Sequence, residues 1–187
     1  MFEAQIQKYY YDMYGVKYDY MGVQQKNGEY YLTNNSALVS DIDYGSLIHI
    51  CEKEKLNYIG RKTTDLSKSW YTRNRNTSLM VQLKNNTANF FKNICRANSS
   101  QCIWTSFKGN RKDLQEKGYT KGFLSCNMRA INEYSNRHCV AYLMNRYMNP
   151  IIKNFFLQHG ISVDEDAFAL SEMLQFIWRF SGITRFR

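Results

Sequence analysis

Two short apolar runs constrain this chain more than any other feature: Cys102-Ile-Trp-Thr-Ser-Phe107 and Gly122-Phe-Leu-Ser-Cys126. Both are too short for ordinary helices and end at turn-forming residues, so they read as buried strands. The polar stretch 109–118 between them reads as helix or loop. A helix joining two buried strands makes a βαβ-like element, which sets the expected class as mixed α/β. At 187 residues and 44% hydrophobic content, with one proline, the chain has material for one domain and is too rich in apolar groups to be mainly disordered. We expect a single domain over 1–187, with a β-rich section over 1–45 and the α/β region over 46–187.

Around these strands the local signals are mixed. Residues 16–23 and 28–33 flank an Asn-Gly turn signal and predict a β-hairpin. Cap-type residues at 41–44 precede Leu47, Ile48, Ile50 and Cys51, predicting a short helix to about Lys55, and 57–60 reads as a small strand. The Pro- and Gly-free stretch 67–97 carries Leu79, Leu83, Phe90, Phe91 and Ile94 near one helical face. It predicts one or two helices, broken near 74–77. Over 134–160, Val140, Leu143, Met144, Tyr147, Ile151 and Phe155 form a stripe that predicts a long helix, with Pro150 starting or kinking its second part. Residues 164–167 then cap a terminal helix, so helices predominate in the second half.

Several function classes drop out early. No apolar run reaches the length of a membrane span, and residues 1–20 lack the pattern of a secretory leader, so we expect a cytoplasmic protein with no membrane partner. The five cysteines are odd in number and scattered, and the three histidines are far apart, so neither a disulfide framework nor a metal site is expected.

Charge is the informative quantity. Residues 57–153 hold 17 Lys/Arg against 4 Asp/Glu, whereas 1–56 hold 5 against 8 and 154–187 hold 3 against 4, so the middle carries the whole excess of +9. Such a field attracts polyanions through counterion release, and nucleic acid is the commonest. The same segment interleaves cations with aromatic and amide groups, as in Lys68-Ser-Trp70-Tyr71-Thr-Arg73-Asn-Arg75 and Arg129-Ala-Ile-Asn132-Glu-Tyr134-Ser-Asn136-Arg137. Cations meet phosphates, exposed rings stack on unpaired bases and amides read base edges, so nucleic acid is the expected partner. The candidate contacts are Lys68, Arg73, Arg75, Arg129, Asn132 and Arg137.

Further stretches carry a resemblance: Gly60-Arg-Lys-Thr-Thr-Asp-Leu-Ser-Lys-Ser-Trp-Tyr71, Trp104-Thr-Ser-Phe-Lys108, Gly118-Tyr-Thr-Lys-Gly-Phe123, Asn145-Arg-Tyr-Met-Asn-Pro150 and Ala169-Leu-Ser-Glu-Met-Leu-Gln-Phe-Ile-Trp-Arg179. Together these resemble the C-terminal half of helicase-like proteins of Gram-positive plasmids, phages and integrative elements. The resemblance implies a second RecA-like lobe, with Gln175 and Arg179 as relics of the arginine-bearing motif that faces ATP. The chain departs from that family by lacking a phosphate-cradling Gly-x-x-x-x-Gly-Lys-Ser/Thr loop, so an autonomous ATPase is not expected. A small basic protein of this origin also looks like a counter-defence protein. One example is an anti-CRISPR acting on the guide RNA or RNA-binding channel of a type II effector ribonucleoprotein. The runner-up is a replication accessory or helicase-lobe remnant that needs a separate ATPase.

A third reading is a metal-dependent nuclease. Asp41 and Asp43 form an Asp-x-Asp pair that could hold Mg2+ for phosphodiester hydrolysis, although the same residues suit a helix cap. Outside that reading no cofactor is expected.

Overall fold

The computed structural model describes residues 2–19, 21–34, 46, 48–60, 62–127, 134 and 137–178. In chain order the elements are α1 (Phe2–Tyr14), β1 (Met21–Lys26), β2 (Glu29–Asn34), α2 (Glu54–Asn57), α3 (Lys68–Asn74), α4 (Ser78–Asn89), β3 (Cys102–Thr105), α5 (Arg111–Leu114), β4 (Cys139–Tyr142), α6 (Pro150–Gln158) and α7 (Glu165–Trp178). They fall into two compact units, one of Lys53–Asn154 with Asp164–Arg187, the other of Phe2–Glu52 with Phe155–Val163.

In the first unit, β3 and β4 run parallel in the register Cys102↔Cys139 to Thr105↔Tyr142. On the other side of β3, Phe123 makes a parallel bridge to Trp104, and the Leu124 N–H donates to the Trp104 carbonyl at 3.0 Å. Successive strand residues point to opposite faces, and both faces are covered. One face presents Cys102, Trp104, Cys139 and Ala141 to a core containing Trp70, Tyr71, Leu83 and Phe91 of the α3–α4 region. The other presents Ile103, Leu124, Val140 and Tyr142 with Phe176 of α7. All four residues of β3 are buried. Gly122 lets the chain pass this close, because a Cβ there would collide with the Cys102 carbonyl oxygen.

The helices follow local chemistry. Ser67 caps α3, its hydroxyl accepting the Trp70 N–H at 3.3 Å. The break expected near 74–77 is present: the Thr77 N–H turns back to the Asn74 carbonyl before α4 begins. On α4, Met80, Leu83 and Thr87 are buried at helical spacing, and a π turn over Phe90–Ile94 buries Phe91. Pro150 starts α6, as its fixed φ favours. Asp164 caps α7, its carboxylate accepting the Ala167 N–H at 2.8 Å.

In the second unit, β1 and β2 form the expected antiparallel hairpin, joined by Asn27 (φ 54°) and Gly28 (φ 85°). Two successive positive φ angles make the type I′ turn that an Asn-Gly pair favours. The section expected to be β-rich also contains the 13-residue helix α1. Its Tyr9 packs against Phe155, Phe156 and His159 with ring centroids 5.0–6.4 Å apart.

Four local expectations need correction. In place of the long helix expected over 134–160, the described residues hold strand β4 and then a stretch 143–149 without helix, and helix begins only at Pro150. Cys139 and Ala141 serve one core and Val140 and Tyr142 the other, so a strand buried on both faces mimics a helical stripe. Residues 48–53 are not helical; Ile50 is exposed, so this stretch lacks the buried face on which so short a helix depends. Residues 57–60 form no strand, because Asn57 ends α2 and Gly60 bends the chain. The second apolar run narrows to the single bridge at Phe123.

Candidate nucleic-acid interface

The first unit offers two places for a polar ligand, and ion pairing distinguishes them. The first is the carboxyl edge of the parallel strands, where ligands bind in open α/β sheets. Here Arg146 leaves the end of β4, and its guanidinium donates to Glu172 of α7 and, at 3.2 Å, to Asn127 Oδ1. The cation is therefore neutralised by a carboxylate on the neighbouring helix. The Tyr142 hydroxyl is buried there without a hydrogen-bond partner among the described residues. Burial pushes the Tyr142 phenol up to about 12, an effect that Arg146 opposes and Cys126 and Glu172 reinforce.

The second place is a cleft of about 600 Å³ lined by Tyr58, Gly60, Lys62, Asp65, Trp70, Arg73, Asn74, Leu79 and Gln82. Its geometry is built from the backbone outward. The Asn86 amide donates to the carbonyls of Lys55 (3.2 Å) and Leu56 (2.9 Å), tying α2, and so Tyr58 just after it, to α4. Gly60 has φ 92°, and the Asp65 carboxylate occupies the space where any side chain at 60 would begin. The Lys62 N–H donates to Asp65 Oδ2 at 2.8 Å, closing the loop. From outside the loop, the Asn145 amide and the Tyr147 hydroxyl both donate to the Thr63 carbonyl at 2.8 Å. Trp70 forms the buried floor and Arg73, in the last turn of α3, forms an exposed wall. Neither Lys62 nor Arg73 is ion-paired within the described residues.

The structure brings some of the sequence-predicted contacts to this region. Lys68 is exposed at the start of α3. Arg75 is exposed just beyond its end and pairs with Asp113 at 3.4 Å, which places Arg111 and Lys112 within two residues of that ion pair. Arg111 also lies over the Phe123 ring, 5.0 Å from its centroid. Arg137 is elsewhere and engaged in structure: its Nη1 donates to the Cys102 carbonyl at 2.8 Å, and its guanidinium covers the Tyr134 ring. Gln175 is exposed on α7. Asp41, Asp43, Arg129, Asn132 and Arg179 lie outside the described residues. Within the described residues no group of three His, Cys, Asp or Glu could hold a metal ion.

Sequence reasoning did not single out Tyr58, Lys62, Asn74 or Gln82. The available signal was Gly60 itself, a residue that marks a turn between α2 and α3.

A family model described as the YonV C-terminal Rossmann-like domain matches residues 42–184. The chain belongs to this family. A YonV-type domain accounts for the parallel strands sealed by helices on both faces and confirms the α/β class. The chain is also 42% identical over 181 residues to the SPbeta prophage-derived uncharacterized protein YonV of Bacillus subtilis (strain 168), a match covering 96% of this chain and 44% of that relative. It therefore spans less than half of the relative's length. Both findings support the expectation of a phage-derived, helicase-like C-terminal lobe. No solved structure matches the chain. Among the described residues of this YonV-type domain, no helix is long and apolar enough to cross a membrane.

Proposed function

We propose that this YonV-type domain binds nucleic acid, single-stranded RNA in preference, through the basic surface around the α3–α4 corner, in the cytoplasm of a bacterial host. The observation that carries the reading is the excess of exposed cation there: Lys62, Lys68, Arg73, Arg111 and Lys112 are exposed, while Asp65 and Asp113 are the acids beside them. Counterion release from phosphates then supplies the affinity. The setting is counter-defence: a basic surface of this kind competes for the RNA of a guide-loaded effector or for the channel that holds it.

Binding of single-stranded RNA should weaken steeply with salt. The triple variant Lys68→Ala, Arg73→Ala, Arg111→Ala should flatten the log–log slope by about 2, at ~0.7 for each phosphate no longer neutralised. Fluorescence anisotropy across a salt series measures this, and an unchanged slope would place the binding surface elsewhere. Incubation with a guide-loaded effector tests the setting. Blocked target cleavage with an intact guide supports a binder, and a shortened guide means a nuclease.

A second reading, an accessory lobe that works with a separate ATPase, is favoured by one observation. The prophage relative has more than half of its length outside the match. Under that reading the domain leaves the effector untouched.

A further inference from the structure

We infer that the cleft between α2 and the α3–α4 corner takes one unpaired nucleotide of the bound strand, with its base stacked on the ring of Tyr58 and its phosphate between Lys62 and Arg73. The inference deepens the proposed function and rests on it. Tyr58 is 69% exposed, although the aromatic beside it in the cleft, Trp70, is 2% exposed. Tyr58 follows the Lys55 and Leu56 carbonyls that Asn86 clamps, and its own N–H donates to the Glu54 carbonyl at 2.8 Å, so its exposed ring is a stacking surface ordered before the ligand arrives. The volume of about 600 Å³ falls in the range of small-ligand sites.

The charges are arranged for one phosphate. Lys62 and Arg73 are unpaired among the described residues, and the one carboxylate in the cleft, Asp65, accepts the Lys62 N–H within its own loop. The cleft thus keeps a net positive charge with its cations at the rim. The base edge has amides to meet. The Asn74 Nδ2 donates to the Trp70 carbonyl at 2.9 Å, which leaves its Oδ1 as an acceptor, and Gln82 is exposed beside it. A duplex cannot use this site, because its bases keep their faces stacked on one another. The chemistry therefore selects a single strand or a splayed loop nucleotide.

The test compares wild type, Tyr58→Ala and Tyr58→Phe on a labelled single-stranded RNA of about 12 nucleotides and on the same sequence as a blunt duplex. Tyr58→Ala should weaken single-strand binding about 5- to 150-fold, the stacking increment of one base, and leave duplex binding unchanged. Tyr58→Phe, which keeps the ring, should stay within about 2-fold of wild type. Because Tyr58 is mostly exposed, all three proteins should share one thermal unfolding profile. An unchanged single-strand affinity in Tyr58→Ala, or an equal loss on single strand and duplex, overturns the inference while leaving the proposed function standing. A wild-type protein that binds neither RNA overturns both.

Discussion

Strand β3 and the β1–β2 hairpin both carry β-branched and aromatic residues that favour strands, and they live in opposite surroundings. In β3 every side chain is buried, and Trp104 is fixed by an indole N–H donated to the Tyr119 carbonyl at 3.0 Å and by ring contacts to Tyr119 and Phe123. On the hairpin, Val23 pairs with Leu32, and Tyr30 stands on the same face two residues along, yet Leu32 is 71% and Tyr30 73% exposed. Strand propensity is therefore not what separates scaffold from surface. Burial on both faces makes β3 the element on which the first unit depends, while the hairpin holds its shape through a favourable turn and cross-strand pairs.

The largest effect expected from this contrast is in β3. Trp104→Ala should destabilise the protein by about 3–5 kcal/mol in denaturant unfolding, combining lost burial with a cavity among Tyr119, Phe123 and the strand. A loss below about 1 kcal/mol would mean that the sheet is not the centre of stability.

An intermediate effect comes from pH. Burial, reinforced by Cys139, pushes the Cys102 thiol up to about 11 from its usual 9.0, and burial also raises Tyr71, Tyr119 and Tyr142 above the usual 10.0. Each group keeps its proton in the folded state at a pH where the unfolded chain has released it. Their contribution is full below about pH 9 and is lost as pH rises through the folded-state values, Cys102 first and the tyrosines after it. Unfolding midpoints at about pH 8, 10 and 11 should fall in that order, and a flat profile would contradict the burial of these groups.

The smallest effect belongs to the hairpin. Leu32→Ser should change stability by no more than about 0.5 kcal/mol, since the side chain is already in water. A loss of several times that size would show that the exposed face is covered in solution, which a change in oligomeric state on substitution would register.

Much of the fold is readable because its signals are local. The Asn27-Gly28 turn, the break at 74–77, the start at Pro150 and the Asp164 cap each depend on a few neighbouring residues, and each is present. Strand β4 reads as helix because a strand sealed on both faces loses the alternation that distinguishes the two. Helix α1 has no counterpart in the sequence reading.

For the candidate site, charge segregation singles out the stretch of chain that holds the proposed cleft, and Arg73 lines that cleft. The other half of the site is not readable. Tyr58, Lys62 and Asn74 are separated by up to 16 residues, and their segments meet in one cleft through long-range contacts such as the Asn86 clamp on Lys55 and Leu56 and the bonds of Asn145 and Tyr147 to Thr63.

Residue order alone determined the turns, the caps, the helix break and the concentration of positive charge in the middle of the chain, because these are written within a few residues of one another or in composition. Only the tertiary structure decided which apolar run became a doubly covered strand, which cations kept their charge free and which tyrosine was left facing water. Those outcomes depend on what packs against a residue from a distant part of the chain. Arg146 is neutralised because α7 brings Glu172 to it, while Arg73 has no such neighbour among the described residues.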